Sequence, residues 1–467
     1  MSRTVILNVV GLTRRCLGAD MPNLAAWLRR KQVVPVEPLV PAVTCTMQAA
    51  YLTGRTPAQS GIVGNGWYDR TLAEVQFWKQ SNHLVSGEKL WEKVRRDHPD
   101  FTTAKVFWWY NMYSTADYSL TPRPIYRADG GKVFDIYTGP AHLREEVKAD
   151  LGEFPFPQFW GPMAGVESTR WIARSAMWVE EKHWPNLSLV YLPHLDYDFQ
   201  RYGPDGPEAA RALRELDGLL GEMIEFYRSR AVKVLVVSEY GITPVDRPVA
   251  LNRVFREHGW IAWRDELGTE VLDAGASRVF AVADHQVAHV YLNDRTLHAE
   301  VKAVLESTPG VGQVLDGMWR SLHGLDHARA GDLIAVADER SWFTYYWWLD
   351  EAKAPDYART VDIHRKPGYD PVELFLDPAI RNPKRTLGVK LLKKKLGFRG
   401  LFDVIPLDAT LVRGSHGRVP EDADDWPVLA GDFPQLEAVP QISAVQVHDE
   451  LLGAIRRGIA KAGGAEE

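Results

Sequence analysis

The chain has 467 residues, of which 45% are hydrophobic and 25% are charged, and its formal net charge is −6. This composition is ordinary for a globular protein and excludes the disordered, collagen-like and low-complexity classes. The net negative charge provides no global attraction to nucleic acid polymers, so we expect none as a partner.

The N-terminal residues lead directly into an apolar strand pattern, without the apolar segment of a signal peptide. No window approaches the roughly 18 apolar residues that predict a membrane-spanning helix. Two cysteines, Cys16 and Cys45, are too few for a disulfide framework or a cysteine-rich zinc site. These features predict a soluble, cytoplasmic protein.

Three short apolar runs predict buried strands of a parallel sheet: Val5–Val10, Leu187–Leu192 and Val232–Ser238. Between the last two runs, Pro207–Arg230 has apolar residues at helical spacing and follows a turn rich in glycine and proline. Strand, helix and strand with a connection of this length form a βαβ unit, which predicts a doubly wound α/β sheet.

Shorter, alternating elements begin near Ser277 and indicate a small α+β subdomain. The predicted elements are strands at Val279–Val282, Ala288–Leu292, Gly312–Leu315 and Leu333–Ala337 and a helix at His298–Leu305. The sequence therefore predicts a core formed by residues 1–275 and 349–467, with a cap subdomain inserted at 276–348.

The stretch from Pro41 to Arg70 contains Thr44, which precedes a predicted helix, Thr46–Leu52. A hydroxyl at this place is usually an N-cap. It also suits a nucleophile, because a helix N-terminus stabilises negative charge on an attacking oxygen or a bound phosphate. Position alone leaves both interpretations open.

Thr44, the turn Leu52-Thr53-Gly54 and the segment Gly61-Ile62-Val63-Gly64-Asn65 resemble the signature of the nucleotide pyrophosphatase/phosphodiesterases of the alkaline phosphatase superfamily. The resemblance implies an α/β/α sandwich with a mostly parallel central sheet and a small inserted α+β subdomain. It implies that Thr44 is the nucleophile, which forms a phosphothreonine intermediate, and that Asn65 binds a non-bridging phosphate oxygen.

The resemblance also implies metal ligands at strand ends. In Leu192–Pro204, Asp196 matches the family's aspartate ligand and Gln200 stands where the family has histidine. In Ser238-Glu239-Tyr240-Gly241, Glu239 and Tyr240 replace aspartate and histidine. After the first strand, Asn8 is the polar residue nearest to the family's aspartate position.

Two histidines fit the last ligand position. His416 lies in Gly-Ser-His-Gly and His364 lies in Asp-Ile-His-Arg-Lys-Pro-Gly-Tyr-Asp, and each precedes a strand-like segment. Both segments resemble the family's His-Gly-Tyr-Asp element. The His-Gly dipeptide favours His416, and both residues stay candidates.

The expected cofactor is one or two divalent metal ions. Zinc is the ion that histidine-rich sites bind, whereas Gln, Asn and Glu oxygens suit Mn²⁺, Mg²⁺ or Ca²⁺ better. An oxygen-rich site, a single retained ion and a degenerate site are all compatible with the substitutions. The predicted function is metal-dependent hydrolysis of phosphodiester or pyrophosphate bonds in a small phosphorylated substrate. The alternatives are phosphomonoester or phosphonate hydrolysis, and a weakened member that binds a phosphorylated or aromatic metabolite.

Candidate substrate-binding residues are Tyr240, Trp67, which follows the Asn65 turn, and Arg123, in the long connection that precedes Asp196. An arginine there suits a phosphate. The basic run Lys384–Arg399 fits either a solvated surface segment or an amphipathic helix in peripheral contact with an anionic membrane.

Overall fold

A computed structural model describes residues 2–129, 131–382, 385, 386, 388–390, 392, 396 and 400–463. In this part of the chain, nine strands form the main sheet, in which Arg3–Val9 lies between two parallel neighbours. The spatial order of the strands is Ile442–Ser443, Gln32–Glu37, Val428–Gly431, Val232–Val237, Arg3–Val9, Leu187–Leu192, Thr103–Val106, Tyr118–Pro122 and Ile136–Gly139.

The central strands are apolar and buried along almost their whole length, as expected of a parallel sheet that is covered on both faces. Val428–Gly431 and Ile136–Gly139 pair antiparallel to their neighbours, so the sheet is mostly but not wholly parallel. The α-helices of the described residues are Pro22–Leu28, Thr44–Thr53, Pro57–Ser60, Leu90–Arg95, Leu143–Leu151, Val166–His183, His194–Tyr202, Pro207–Ser229, Leu251–Glu257, His298–Ser307, Gly317–Leu322 and Ala444–Gly463.

The predicted strand–helix–strand unit is confirmed, with Leu187–Leu192, Pro207–Ser229 and Val232–Val237 as its main parts. The long helix buries Leu213, Leu216 and Leu220 at the predicted spacing. It contacts the helices Val166–His183 and Pro22–Leu28, whereas the C-terminal helix contacts Thr44–Thr53. The predicted α/β class is therefore confirmed.

A second, antiparallel sheet contains four strands of the described chain, in the order Val279–Asp284, Val287–Leu292, Leu333–Ala337 and Val311–Leu315. These strands and the helix His298–Ser307 confirm the elements that the sequence predicts in this region. The hydrophobic core that contains the buried residues of this sheet also includes Phe255, Trp260 and Tyr357. The boundaries of the inserted cap subdomain, residues 276–348, remain a prediction.

Shorter strand pairs lie outside these two sheets. They are Gly66–Asp69 with Glu74–Phe77, Ile125–Tyr126 with Lys132–Val133, Thr243–Pro244 with Gly414–Ser415, Arg247–Val249 with Ser341–Phe343, and Trp263–Glu266 with Thr269–Leu272. Much of the basic run Lys384–Arg399 lies outside the described residues. Among the helices that are described, none has the length and apolar character needed to cross a membrane.

The carboxyl ends of parallel strands meet at one edge of a sheet, where α/β proteins commonly bind ligands. Asn8 lies near the end of the first strand, His194–Tyr202 follows Leu187–Leu192, and Glu239 follows Val232–Val237. Residues that are far apart in the sequence are thereby brought together at this edge.

Candidate active site

Thr44 is the first residue of the helix Thr44–Thr53, and Val43 occupies the N-cap position without a side-chain cap. The Thr44 hydroxyl is therefore not used as an N-cap. It is buried, and its Oγ1 lies 3.3 Å from the hydroxyl oxygen of Tyr240. This contact places the hydroxyl at the sheet edge, beside the residue that follows Glu239.

Asp196 accepts two hydrogen bonds at this edge. The Tyr240 hydroxyl donates to Oδ1 at 3.1 Å, and the Gln200 amide donates to Oδ2 at 2.8 Å. Tyr369 donates its hydroxyl to the Gln200 oxygen at 3.1 Å. Burial raises the pKa of Asp196 to about 7, although the bonds from Tyr240 and Gln200 lower it.

Glu239 is bound by two amides on one oxygen. Asn8 Nδ2 and Gln48 Nε2 donate to Oε1 at 2.5 and 2.6 Å. Glu239 Oε2 and Asn8 Oδ1 have no hydrogen-bond partner among the described residues. Burial raises the pKa of Glu239 to about 8, and the Gln48, Asn8 and Thr44 side chains lower it. The carboxyl is thus held next to Thr44 by neutral donors.

Four aromatic rings stack beside these carboxyls. The ring of Tyr240 stacks on the ring of His416, with their centroids 3.5 Å apart. The ring centroids of His416 and His285 are 3.7 Å apart, and those of His285 and Tyr369 are 3.6 Å apart. Burial lowers the pKa of His416 to about 3 and that of His285 well below its ordinary value, so both imidazoles are neutral. The stack begins at Tyr240, whose hydroxyl contacts Thr44, and ends at Tyr369, whose hydroxyl donates to Gln200.

Asn65 is bonded through both ends of its amide. Its Oδ1 accepts from the backbone N–H of Cys45 at 3.0 Å, and its Nδ2 donates to Asp284 Oδ1 at 3.0 Å. Its backbone N–H also donates to Asp284 Oδ2 at 2.8 Å. Because Cys45 follows Thr44, these bonds tie the Asn65 turn to the start of the Thr44 helix.

Three predicted site residues lie elsewhere. His364 is exposed and lies near the backbone of Phe77, and Arg123 is also exposed. Trp67 is buried in an apolar cluster, with the guanidinium of Arg329 4.7 Å from its ring centroid. In the described part of the chain, none of the three hydrogen-bonds to Thr44 or to the residues bonded to it. Of the two candidate histidines, the structure places only His416 beside Asp196.

The residues fit one divalent ion better than two. His416 donates Nδ1–H to the Ala42 carbonyl at 2.8 Å, and its Nε2 lies 3.8 Å from Asp196 Oδ1 without a hydrogen-bond partner in the described chain. A histidine held through its second nitrogen in this way is typical of a metal ligand.

A second ion would rely on Asn8, Glu239 and Tyr240. There Glu239 Oε1 already accepts two amides, and the Tyr240 hydroxyl is bonded to Asp196. No group of three or more His, Cys, Asp or Glu side chains in the described residues is arranged to hold a metal. This donor set, with its amides and phenol, does not fit two dications.

Sequence reasoning did not identify four residues of this network as site residues: Gln48, Asp284, His285 and Tyr369. Gln48 lies one helical turn after Thr44, and this i, i+4 spacing is the signal that places both on one face. Asp284 ends a strand of the second sheet and His285 follows it, and nothing in the sequence aligns that strand end with the main sheet. Their place follows from tertiary packing alone.

Known families and structures match this chain over most of its length. A family model described as type I phosphodiesterase/nucleotide pyrophosphatase matches residues 4–370. An uncharacterised pyrophosphatase/phosphodiesterase of Schizosaccharomyces pombe is 27% identical over 248 residues, which cover 50% of this chain and 44% of that protein. Ectonucleotide pyrophosphatase/phosphodiesterase family member 1 of Homo sapiens is 22% identical over 213 residues, which cover 44% of this chain and 19% of that protein. The matches thus span less than half the length of these curated relatives.

Two solved structures share the fold at 14% sequence identity. Phosphonoacetate hydrolase from Sinorhizobium meliloti, in complex with phosphonoformate, matches with a TM-score of 0.62 over 97% of this chain and 96% of that one. Murine ectonucleotide pyrophosphatase/phosphodiesterase 5 matches with a TM-score of 0.56 over 97% and 95%. The predicted α/β architecture with a large central sheet is confirmed by these matches.

Proposed function

The chain belongs to the type I phosphodiesterase/nucleotide pyrophosphatase family, and from this premise we propose that it hydrolyses phosphodiester or pyrophosphate bonds with Thr44 as the nucleophile. The observation that carries the proposal is the contact of the buried Thr44 hydroxyl with Tyr240 at the N-terminus of its helix. The helix N-terminus favours the negative charge that develops on the attacking oxygen and on phosphate.

In the proposed first step, Thr44 Oγ1 attacks phosphorus, the bond to the leaving oxygen breaks, and the Thr44 proton passes to Glu239. Glu239 Oε2 is free to accept it because Asn8 and Gln48 bind the other oxygen. A pKa of about 8 suits a general base near neutral pH. One Nδ2 hydrogen of Asn65 supports charge on a non-bridging oxygen.

In the second step, water attacks the phosphothreonine and the bond between phosphorus and Thr44 Oγ1 breaks. Glu239 returns its proton to Thr44 Oγ1. The water oxygen stays on phosphorus with one proton, and the second water proton is released to solvent, where it balances the anionic leaving oxygen of the first step. Tyr240 orients the Thr44 oxygen in both steps through its hydroxyl, which is itself fixed on Asp196.

We propose one divalent ion as the cofactor, held by Asp196 and His416. When bound, it would polarise a phosphate oxygen and neutralise charge there. Elemental analysis of purified protein tests this stoichiometry. We expect about one equivalent, and two equivalents would contradict the fit of the donor set.

Turnover of bis-(p-nitrophenyl) phosphate tests the proposed activity. We expect Thr44→Ala to lower kcat by about 10³-fold and Thr44→Ser to retain most of it, because serine keeps the nucleophilic oxygen. Thr46→Ala is the matched control, since Thr46 is a buried threonine of the same helix. Equal rates for wild type and Thr44→Ala with Zn²⁺, Mn²⁺ and Mg²⁺ would contradict the proposal.

A second candidate is a weakened member that binds a phosphorylated or aromatic metabolite. The substituted ligands Gln200, Tyr240 and Asn8 favour it, whereas Thr44 argues against it because binding alone needs no nucleophile. Saturable phosphate binding without Thr44-dependent turnover would identify it.

Parallel assays with p-nitrophenyl phosphate and an aryl phosphonate separate diesters from monoesters and phosphonates. A cytoplasmic location and peripheral membrane contact through residues 384–399 stay predictions.

A further inference from the structure

Asp284 is a buried carboxyl that the proposed reaction does not use. It ends the strand Val279–Asp284 of the second sheet and is fully enclosed. Both of its oxygens accept from one residue: Asn65 N–H at 2.8 Å and Asn65 Nδ2 at 3.0 Å. A buried carboxyl that binds one asparagine twice fixes the position of that asparagine strongly, because both bonds must be lost together.

The orientation of the Asn65 amide follows from its two partners. Its oxygen accepts the Cys45 N–H, and its nitrogen donates to Asp284. If the amide were flipped, its NH₂ donor would face the Cys45 N–H donor, and its acceptor oxygen would face the acceptor oxygens of Asp284. Neither pair could form a hydrogen bond. One Nδ2 hydrogen then remains without a partner among the described residues.

The surrounding backbone fits closely around the carboxyl. A Cβ added at Gly64 would lie 3.1 Å from Asp284 Oδ2, so the turn before Asn65 closes directly on it. Two residues after Asp284, the Gln286 N–H donates to the His416 carbonyl at 2.8 Å. The same strand end therefore contacts both Asn65 and the segment that carries His416.

We propose that Asp284 is a positioning residue that presents the free amide hydrogen of Asn65 to a phosphate oxygen, so that the second sheet completes the phosphate-binding site. This inference rests on the proposed function, in which Asn65 is the phosphate donor. Asp284 acts through Asn65 and does not touch the substrate.

The chain offers a matched control in Asp217, on the helix Pro207–Ser229. This buried carboxyl accepts from Asn23 N–H and Asn23 Nδ2, both at 2.9 Å, and from Leu24 N–H at 2.8 Å. It makes the same paired contacts with an asparagine, but between two scaffold helices. Asp217→Asn therefore reproduces the structural loss without the effect on the site.

The test combines inorganic phosphate affinity, measured by calorimetry, with kcat and KM for bis-(p-nitrophenyl) phosphate. We expect Asp284→Asn to weaken phosphate binding and to lower kcat/KM by about 10-fold or more, as removal of an oriented donor does. Asp217→Asn is expected to leave both within about two-fold of wild type. Gly64→Ala, whose Cβ would lie 3.1 Å from Asp284 Oδ2, is a second variant that should also weaken phosphate binding if Asp284→Asn folds poorly.

A double-mutant cycle with Asn65→Ala decides whether Asp284 acts through Asn65. We expect Asn65→Ala and the double variant with Asp284→Asn to have the same phosphate affinity. Once Asn65→Ala has removed the amide, Asp284 no longer orients a phosphate donor. The inference would be overturned if the losses of phosphate affinity of the two single variants multiplied in the double variant. It would also be overturned if Asp284→Asn kept wild-type affinity, or if the wild type bound no phosphate. Phosphate binding with this cycle but without turnover would reject the proposed function and leave the inference standing.

Discussion

The Thr44–Asn65 side of the site and the Asp196–Glu239 side are held by different chemistry. On the first side, a helix N-terminus, a backbone N–H and the Asp284 carboxyl fix a hydroxyl and an amide. On the second, two buried carboxyls accept hydrogen bonds from amides and a phenol. In the proposed reaction, the first side faces the phosphate, whereas the second provides the proposed base Glu239 and, together with His416, the proposed ion ligand Asp196.

This difference has an electrostatic consequence. The pKa of Asp196 is raised to about 7 and that of Glu239 to about 8, both mainly by burial. Neutral donors reduce the cost of an enclosed carboxylate less than a dication would. The second side is therefore suited to proton transfer. Variants of its residues should alter the pH dependence of the reaction rate as well as the rate itself.

Glu239→Gln is expected to have the largest effect on this side. The amide keeps the shape of the side chain but accepts no proton, so kcat should fall by about 10²-fold or more. The rising limb of the wild-type pH–rate profile, expected near pH 8, should disappear with it. An unchanged profile would show that Glu239 is not the base.

Tyr240→Phe removes the hydroxyl between Thr44 and Asp196 and leaves the ring on His416. Because Thr44 then loses an orienting contact but keeps its base, kcat should fall by about 10-fold, less than for Glu239→Gln. Stopped assays at saturating substrate give this comparison. A loss as large as that of Thr44→Ala would mean that Tyr240 does more than orient the nucleophile.

Asp284 should also link stability to pH. Burial raises its pKa to about 7 in the folded protein, so the folded state binds the proton more tightly than the unfolded chain does. The stability of wild type relative to Asp284→Asn is therefore greatest near pH 4 and falls as the pH rises through about 7, by up to about 1.4 kcal/mol per pH unit.

Urea unfolding of both proteins in EDTA at several pH values measures this difference. Taking the difference cancels the contributions of buried His416 and Lys105, whose lowered pKa values act in the opposite direction. A difference that grows with pH would contradict the assignment of a raised pKa to Asp284.

The smallest effect is expected at His364. His416→Asn should reduce the bound ion to well below one equivalent, whereas His364→Asn should leave both metal content and turnover within about two-fold of wild type. Elemental analysis of the two variants makes the comparison. Metal loss in His364→Asn alone would reverse the choice between the two histidines.

The sequence predicted the central strands, the long helix Pro207–Ser229 and the elements of the second sheet, because apolar periodicity reports burial directly. The resemblance to the family implied Asp196 and Tyr240 as site residues near strand ends, and the structure brings both to one edge of the sheet, because the carboxyl ends of parallel strands share that edge. The N-cap question at Thr44 needed the structure, because a shift of the helix start by two residues changes the role of the hydroxyl.

Asp284 and Tyr369 could not be predicted as site residues. Their contacts with Asn65 and Gln200 join segments separated by more than 160 residues, and they depend on how the second sheet packs against the main sheet. No local periodicity or motif specifies such packing. Arg123 and Trp67 show the converse, because their positions near the motif in sequence did not bring them into its hydrogen-bond network.

The most direct test of the central claim is rapid-quench mass spectrometry with bis-(p-nitrophenyl) phosphate. The claim predicts a nitrophenyl phosphoryl adduct on the peptide that contains Thr44 in the wild type, and its absence in Thr44→Ala. Steady turnover without any adduct on that peptide, and with equal rates in Thr44→Ala, would contradict it.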